Sequence, residues 1–337
     1  MRMDRNRTEA APHHEHIFGE ARPFAQCHAS TLVALGPGQF LAAWFAGSRE
    51  GRSDVAIWGA TRRSGTWSAP LRLAKVADCA HWNPVLFRAP AGEVHLFFKV
   101  GETIPAWETW RQVSRDGGET WGEPKPLVAG DRGGRGPVKN KPIVLSDGAW
   151  LAPASTEAEG RWDAFVDRSE DEGRTWIATE PIPLDRASHA GLGVIQPTLW
   201  ESVPGRVHML LRSTSGRVCR SDSADGGRTW SAVYPTALPN NNSGLDLARL
   251  PSGALALAYN PVAGDWAART PLSISLSLDN GETWPRRLDL ETEDGEYSYP
   301  AIIATGDDGL AVTYTWRRER IAFWSGTVGD LPLAPKA

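Results

Sequence analysis

The apolar positions of this chain fall in short runs rather than along a helical stripe. Val207-His208-Met209-Leu210-Leu211 and Ala254-Leu255-Ala256-Leu257-Ala258-Tyr259 are of strand length, and Gly, Pro, Asn and Ser bound such runs. No segment sustains an apolar period of about 3.6 residues, so the pattern predicts an all-β protein. Between the runs one phrase recurs. It reads Ser114-Arg115-Asp116-Gly117-Gly118-Glu119-Thr120-Trp121, and returns as Ser169 to Trp176, Ser223 to Trp230 and Ser277 to Trp284. A worn copy, Arg63-Ser64-Gly65-Thr66-Trp67, keeps only its end. The closing tryptophans stand at 67, 121, 176, 230 and 284, a spacing of 54 or 55 residues. A constant period means one structural unit repeated along the chain.

The residues say what the unit is. In each phrase the Asp carboxylate can accept hydrogen bonds from the backbone amides that follow, and the Gly permits a positive φ, so the phrase is a turn. Thr and Trp then begin the next strand, with the indole buried between neighbouring sheets. Four short strands and their turns fill 54 residues, and a chain of 337 residues holds about six such units. The expected fold is a six-bladed β-propeller of four-stranded antiparallel blades.

The pattern S-x-D-x-G-x-T-W resembles the Asp box of the sialidase (neuraminidase) superfamily, over nearly the whole chain. The resemblance implies a sialidase-like propeller. It also implies that Asp116, Asp171, Asp225 and Asp279 are structural, since Asp boxes lie on the blade periphery away from the active site.

Composition narrows the picture. With 34 Gly and 25 Pro the chain is turn-dense, and a closed ring of blades is one cooperative unit. Residues 1–15 read as a polar leader and 16–337 as a single propeller, with residues around 16–24 supplying the outer strand of the last blade to close the ring. The net charge of −4 and the lack of a basic tract argue against nucleic acid or an anionic membrane as partner. Met1 to Arg7 is charged and no apolar stretch follows it, so neither signal peptide nor anchor is expected. Cys27, Cys79 and Cys219 are odd in number and far apart, which fits reduced thiols in a cytoplasmic protein. No metal or other cofactor is expected: His13, His14 and His16 lie in the leader, and the body of the chain has no pair of His or Cys at ligand spacing and no phosphate-cradling loop.

In such a ring the start of each innermost strand and the end of each second strand face the same end of the axis. A purely structural ring would place Val or Ile there. This chain instead starts its innermost strands with His28, His81-Trp82-Asn83, Lys139-Asn140-Lys141, Gln196, Asn242-Ser243 and Tyr297-Ser298-Tyr299. Its second strands end at Arg49-Glu50, Lys99, Thr156-Glu157, Arg212, Tyr259-Asn260 and Tyr314-Thr315-Trp316. Polar and aromatic residues recurring with the blade period predict a functional pocket. Its cations, Arg49, Lys99, Lys139, Lys141, Arg212 and Arg269, point to an anionic ligand. The simplest is an acidic sugar, because Arg grips a carboxylate with two parallel hydrogen bonds.

The superfamily resemblance adds roles. Arg212 and Arg269 resemble the second and third arginines of the sialidase triad, Tyr297-Ser298 the catalytic tyrosine, and Phe45-Ala46-Gly47-Ser48-Arg49 the stretch with the extra pocket arginine. Asp54 resembles the general-acid aspartate, and a tyrosine nucleophile with an acid partner is a recognised variant of glycosidase chemistry. Two positions depart from the pattern. The first triad arginine, in an Arg-Ile-Pro phrase, is replaced by His28-Ala29-Ser30, and Val194 stands where the tyrosine's activating glutamate is expected. The resemblance thus implies an exo-glycosidase for an acidic sugar, a uronate suiting these residues better than sialic acid. Glu50 or Glu157 could serve as the carboxylate partner. Asn83, Lys139, Gln196, Asn242, Tyr299 and Tyr314 are further substrate-binding candidates. A second expectation is a uronate lyase, in which Arg212 and Arg269 neutralise the carboxylate, His28 or His81 removes the proton beside it, and Tyr297 or Tyr299 protonates the leaving oxygen. A third is a carbohydrate-binding propeller without turnover.

Overall fold

A computed structural model describes residues 12–131 and 134–335. Strands that alternate around turns pair with their chain neighbours, so each run of the sequence period becomes one antiparallel sheet. Six such sheets form the six blades. Blade 1 starts at Gln26–Gly36, blade 2 at His81–Arg88, blade 3 at Ile143–Val144, blade 4 at Val194–Val203, blade 5 at Asp246–Arg249 and blade 6 at Tyr297–Thr305. The only helical segments among the described residues are the 3₁₀ turns Ile104–Ala106 and Val328–Asp330, and no helix is long and apolar enough to cross a membrane.

Blade 6 is closed by the N-terminal strand His13–His16, which pairs antiparallel with Arg320–Thr327. The closing strand therefore begins inside the stretch read as a leader and ends at His16, the first residue of the segment expected to supply it. Its polar sequence has a physical reason: an outermost strand faces solvent and needs no apolar alternation. It is anchored by Glu15, whose carboxylate accepts from Arg62 Nε (2.9 Å) and Trp67 Nε1 (3.0 Å) of blade 1. The segment behind it instead packs inward, where Ile17, Phe18 and Phe24 join Trp44 in the seam between blades 6 and 1.

Each blade buries both faces against its neighbours, and the buried apolar side chains fall into six clusters, one per seam. The repeated turns brace the outer edges. In the first, Ser114 Oγ donates to Asp116 Oδ1 (2.7 Å) and accepts from Gly118 N (2.8 Å), while Asp116 Oδ1 accepts from Thr120 N (2.9 Å). The copies around Asp171, Asp225 and Asp279 repeat this geometry. The Thr120 hydroxyl and amide, followed by Ser114, pull the Asp116 carboxyl down to about 2, and Thr283 acts likewise on Asp279.

These depressed values set the acid limb of stability. A carboxylate whose folded pKa lies below its unfolded one stabilises the fold above the unfolded value and loses that contribution as pH falls through the folded one. The variant carrying Asp116→Asn and Asp279→Asn is expected to melt below wild type at neutral pH. The gap should close between pH values of about 4 and about 2, as read from melting temperatures along a pH series. A gap that persists unchanged at the acid end would refute this account.

Candidate functional site at the axial end of the propeller

Every blade begins with the same backbone device. Ala29, Asn83, Lys139, Gln196, Asn242 and Tyr299 have φ values of 55°, 39°, 67°, 52°, 56° and 52°. At each blade entry one non-glycine residue thus adopts the left-handed conformation, at a cost of about 1 kcal/mol each. Register breaks accompany it at His28/Thr31, Trp82/Val85, Ile195/Thr198 and Ser298/Ala301. A bulge leaves its residue out of the ladder and re-aims the side chain. The ring of bulges gathers polar side chains from different blades around the axis.

Arg212 is the hub. It ends the second strand of blade 4 and is 3% exposed. Its Nε donates to Asn242 Oδ1 (2.8 Å), and its Nη1 to Tyr299 Oη (2.8 Å) and Gln196 Oε1 (3.2 Å). The guanidinium also lies over the rings of Trp162 (5.1 Å) and Trp266 (5.7 Å). No carboxylate forms an ion pair with it among the described residues. A buried cation held only by neutral groups is poised for an anion from outside. Trp266 is 64% exposed, so this wall of the site opens to solvent.

Tyr299 stands between Arg212 and two further polar groups, Arg269 and His28. The Arg269 guanidinium lies 5.7 Å from its ring centroid, and the His28 ring 4.3 Å. Arg269 donates to Glu296 Oε1 (2.6 Å) and Ser298 Oγ (3.3 Å). Arg318 joins the same Glu296 (2.9 Å) and also donates to Glu50. His28 Nδ1 meets Thr315 Oγ1 at 2.9 Å, and no hydrogen bond engages its Nε2 among the described residues. Burial, then Arg318, Arg269, Arg212 and Lys139, hold this imidazole well below its ordinary pKa, so it is neutral. Glu157 has the opposite bias: burial raises its carboxyl, against the pull of Arg212. With Trp162 it lines a hollow of about 370 Å³.

The structure thus brings together His28, Glu157, Gln196, Arg212, Asn242, Arg269 and Tyr299, with Glu50 linked through Arg318. Other candidates are engaged elsewhere. Tyr297 is turned into the seam between blades 5 and 6, where its hydroxyl accepts from Arg317 Nη2 (3.1 Å). Tyr314 donates to Glu291 (2.6 Å) on the outer strand of blade 5 and meets His14 (2.7 Å) on that of blade 6. His81 Nε2 accepts from Val76 N (2.8 Å) while Nδ1 faces Cys79 O (3.0 Å), so both nitrogens serve its own loop. Burial lowers that imidazole to about 4. Asp54 accepts from Ser48 N (2.7 Å) and Ser48 Oγ (2.9 Å), bracing an exposed loop that also carries Arg49. Asn83 shares the ring geometry, but no hydrogen bond joins it to Arg212 or Tyr299 among the described residues. Lys139 is a plug rather than a lining cation: its ammonium donates to Asn140 Oδ1 (3.0 Å), Leu245 O (3.0 Å) and Pro300 O, tying blade 3 to blades 5 and 6. Gly244 lets the backbone pass this plug, since a Cβ there would lie 3.0 Å from Lys139 Cε and 3.4 Å from Tyr299.

Trp162, Trp266 and Arg318 belong to the cluster and were not among the sequence candidates. Arg318 had a legible signal, because it follows the second strand of blade 6, where pocket residues recur. Trp162 and Trp266 had none, as nothing local distinguishes them among 16 tryptophans.

The BNR repeat-like domain family matches residues 38–312. An exo-alpha-sialidase of Aspergillus fumigatus is 29% identical over 163 residues, which are 42% of this chain and 38% of that protein. A sialidase of Micromonospora viridifaciens is 28% identical over 167 residues, 47% of this chain and 24% of that one. The alignments thus span well under half the length of these relatives. Among solved structures, a leech intramolecular trans-sialidase complexed with 2,7-anhydro-Neu5Ac superposes with a TM-score of 0.74 at 15% identity, covering 95% of this chain and 71% of that one. A protein of unknown function from Dyadobacter fermentans superposes with a TM-score of 0.73 at 15% identity, covering 91% and 96%. Such identities speak for the fold alone. With its period, its blades and the family match in agreement, the chain belongs to the BNR repeat-like family of the sialidase superfamily.

Proposed function

We propose that this protein is a sialidase-like exo-glycosidase that takes a carboxylate-bearing sugar at the axial end, a uronate in preference to a sialic acid. The observation that carries the reading is Arg212, buried, without an acidic partner among the described residues, and donating to the hydroxyl of Tyr299. Arg212 and Arg269 would grip the sugar carboxylate, and Trp266 would cover the ring. Tyr299 Oη would attack the anomeric carbon and pass its proton to neutral His28, whose Nε2 makes no hydrogen bond among the described residues. As that bond forms the glycosidic bond breaks, and the leaving oxygen takes a proton from Glu157, whose raised pKa suits an acid. Water, giving a proton to the Glu157 carboxylate, would then attack the anomeric carbon, and the released Tyr299 oxygen would take back its proton from His28.

One feature favours elimination as the second reading. Gln196 lies beside Tyr299 where an anionic base would activate a nucleophile, and His28 is the neutral base at hand. In a uronate lyase His28 would remove the proton next to the carboxylate while Arg212 stabilises the carbanion, and the glycosidic carbon–oxygen bond would then break as Tyr299 gives its proton to the leaving oxygen.

Purified protein assayed against sialosides and glucuronides distinguishes these readings. Hydrolysis yields the free sugar, whereas elimination yields an unsaturated uronate with new ultraviolet absorbance. Arg212→Met is expected to lower kcat/KM on the accepted sugar about 100- to 1000-fold, as loss of a buried electrostatic stabiliser does. Turnover within a few-fold of wild type would overturn the reading, and binding of an acidic sugar without any product would make the protein a lectin-like propeller.

A further inference from the structure

The blade seams share an arginine latch, and one seam has lost its acid. Arg111 and Arg220 occupy matching places on the third strands of blades 2 and 4, three residues ahead of the serine of the repeated turn, while Arg168 of blade 3 stands one residue ahead of it. Each donates to a carbonyl in the repeated turn of the next blade: Gly173 O (2.5 Å), Gly226 O (2.8 Å) and Asn280 O (3.0 Å). Residues two apart on a strand share a face, and in blade 4 the residue two positions on answers the arginine: Arg220 pairs with Asp222 (3.0 Å). In blade 2 that position is Val113, and Arg111 has no carboxylate partner among the described residues.

The blade 4 seam shows what completes such a site. His208, directly opposite Asp222, bonds to its carboxylate (2.5 Å), and Trp200 Nε1 reaches across to Asn280 Oδ1 (2.8 Å). In blade 2 the corresponding pair is His95 opposite Val113, with Phe87 in the place of Trp200 and Glu172 in that of Asn280. Three closing groups are therefore missing together. What remains is a groove of about 700 Å³ with His95 and Arg111 in its lining. His95 is 4% exposed, and neither ring nitrogen has a hydrogen-bond partner among the described residues. Glu93, on the rim, is engaged by Arg115 (2.9 Å), while Glu123 and Glu172 are exposed. Buried polar groups are normally satisfied.

We infer that the groove between blades 2 and 3 binds a small carboxylate-bearing ligand, whose carboxylate takes the place that Asp222 fills in blade 4, between His95 and Arg111. This site is remote from the axial cluster and does not rest on the reading given for it.

The test follows the His95 imidazole resonance by NMR, assigned with His95→Gln, during titration with acetate and with glucuronate at constant ionic strength. Because the signal is local, binding at Arg212 does not contribute to it. A saturable shift with either carboxylate, absent with chloride, is expected for wild type. Val113→Asp supplies the missing acid from within and is expected to abolish the shift and raise the melting temperature. Should that variant fail to fold, Arg111→Gln must still lose at least about 10-fold in affinity, the weight of a charge-assisted hydrogen bond. No shift with either carboxylate, an equal shift with chloride, or an undiminished response in Val113→Asp or Arg111→Gln would overturn the inference.

Discussion

Tyr299→Phe is expected to lower kcat by about 1000-fold or more, while Tyr297→Phe leaves it within a few-fold. The two tyrosines differ by two positions, and only the second presents its hydroxyl to the cationic cluster. Tyr299 Oη accepts from Arg212 at 2.8 Å and faces Gln196 at 3.5 Å, whereas Tyr297 Oη is held by Arg317 within a seam. The phenylalanine ring can keep the contact with His28. The variant is therefore expected to fold with a loss of only about 1–2 kcal/mol from the unmade hydrogen bonds. Steady-state kinetics of both variants on the accepted glycoside decide the matter. If Tyr297→Phe were the inactive one, the axial assignment would be wrong. If both variants were active, Tyr299 would have no covalent or acid role.

Asp246→Ala is expected to cost about 3 kcal/mol or more in global stability. Asp246 is 2% exposed and serves four blades at once. Its Oδ1 accepts from Thr198 Oγ1 (2.9 Å) of blade 4 and from Leu247 N (2.9 Å) of its own blade. Its Oδ2 accepts from Lys141 Nζ (2.8 Å) of the segment entering blade 3 and from Ile302 N (2.9 Å) of blade 6. Alanine would strand two buried amides and an ammonium, and removing one member of a buried charged network is far more damaging than never building it. Lys141→Met should cost less, because the Asp246 carboxylate keeps its hydrogen bonds from Thr198 Oγ1, Leu247 N and Ile302 N, all of which Asp246→Ala removes. Urea unfolding of both variants measures the difference. A change below about 1 kcal/mol for Asp246→Ala would show that the axial pin does not hold the blades.

Much of the site was visible along the chain, yet two kinds of residue were assigned a different place. Tyr297 and Tyr299 share a face under simple strand alternation, so the sequence offers no means to choose between them. The bulge after Ser298 breaks that alternation and sends only Tyr299 to the axis. The lysines are the second case. Lys99 and Lys139 recur with the blade period and read as pocket cations. Lys99, however, donates to Thr109 Oγ1 (2.6 Å), Gly134 O (3.1 Å) and Arg135 O (2.9 Å), and Lys139 is likewise capped by carbonyls. An ammonium has three donors and no fixed plane, so three converging carbonyls satisfy it as well as an anion would. Those carbonyls belong to segments remote in the chain, and no local pattern announces them.

The sequence by itself determined the all-β class, the number of blades, the bracing turns and the positions at which each blade turns polar residues toward the axis. These are local properties: apolar run length, turn chemistry and a repeat of 54 residues. Only the tertiary structure decided which cations are free for a ligand and which hold the blades, which tyrosine meets Arg212, and where one seam lacks its acid. Each of those depends on partners brought from other blades, and pairing across the ring is set by the closure of all six sheets rather than by any one of them.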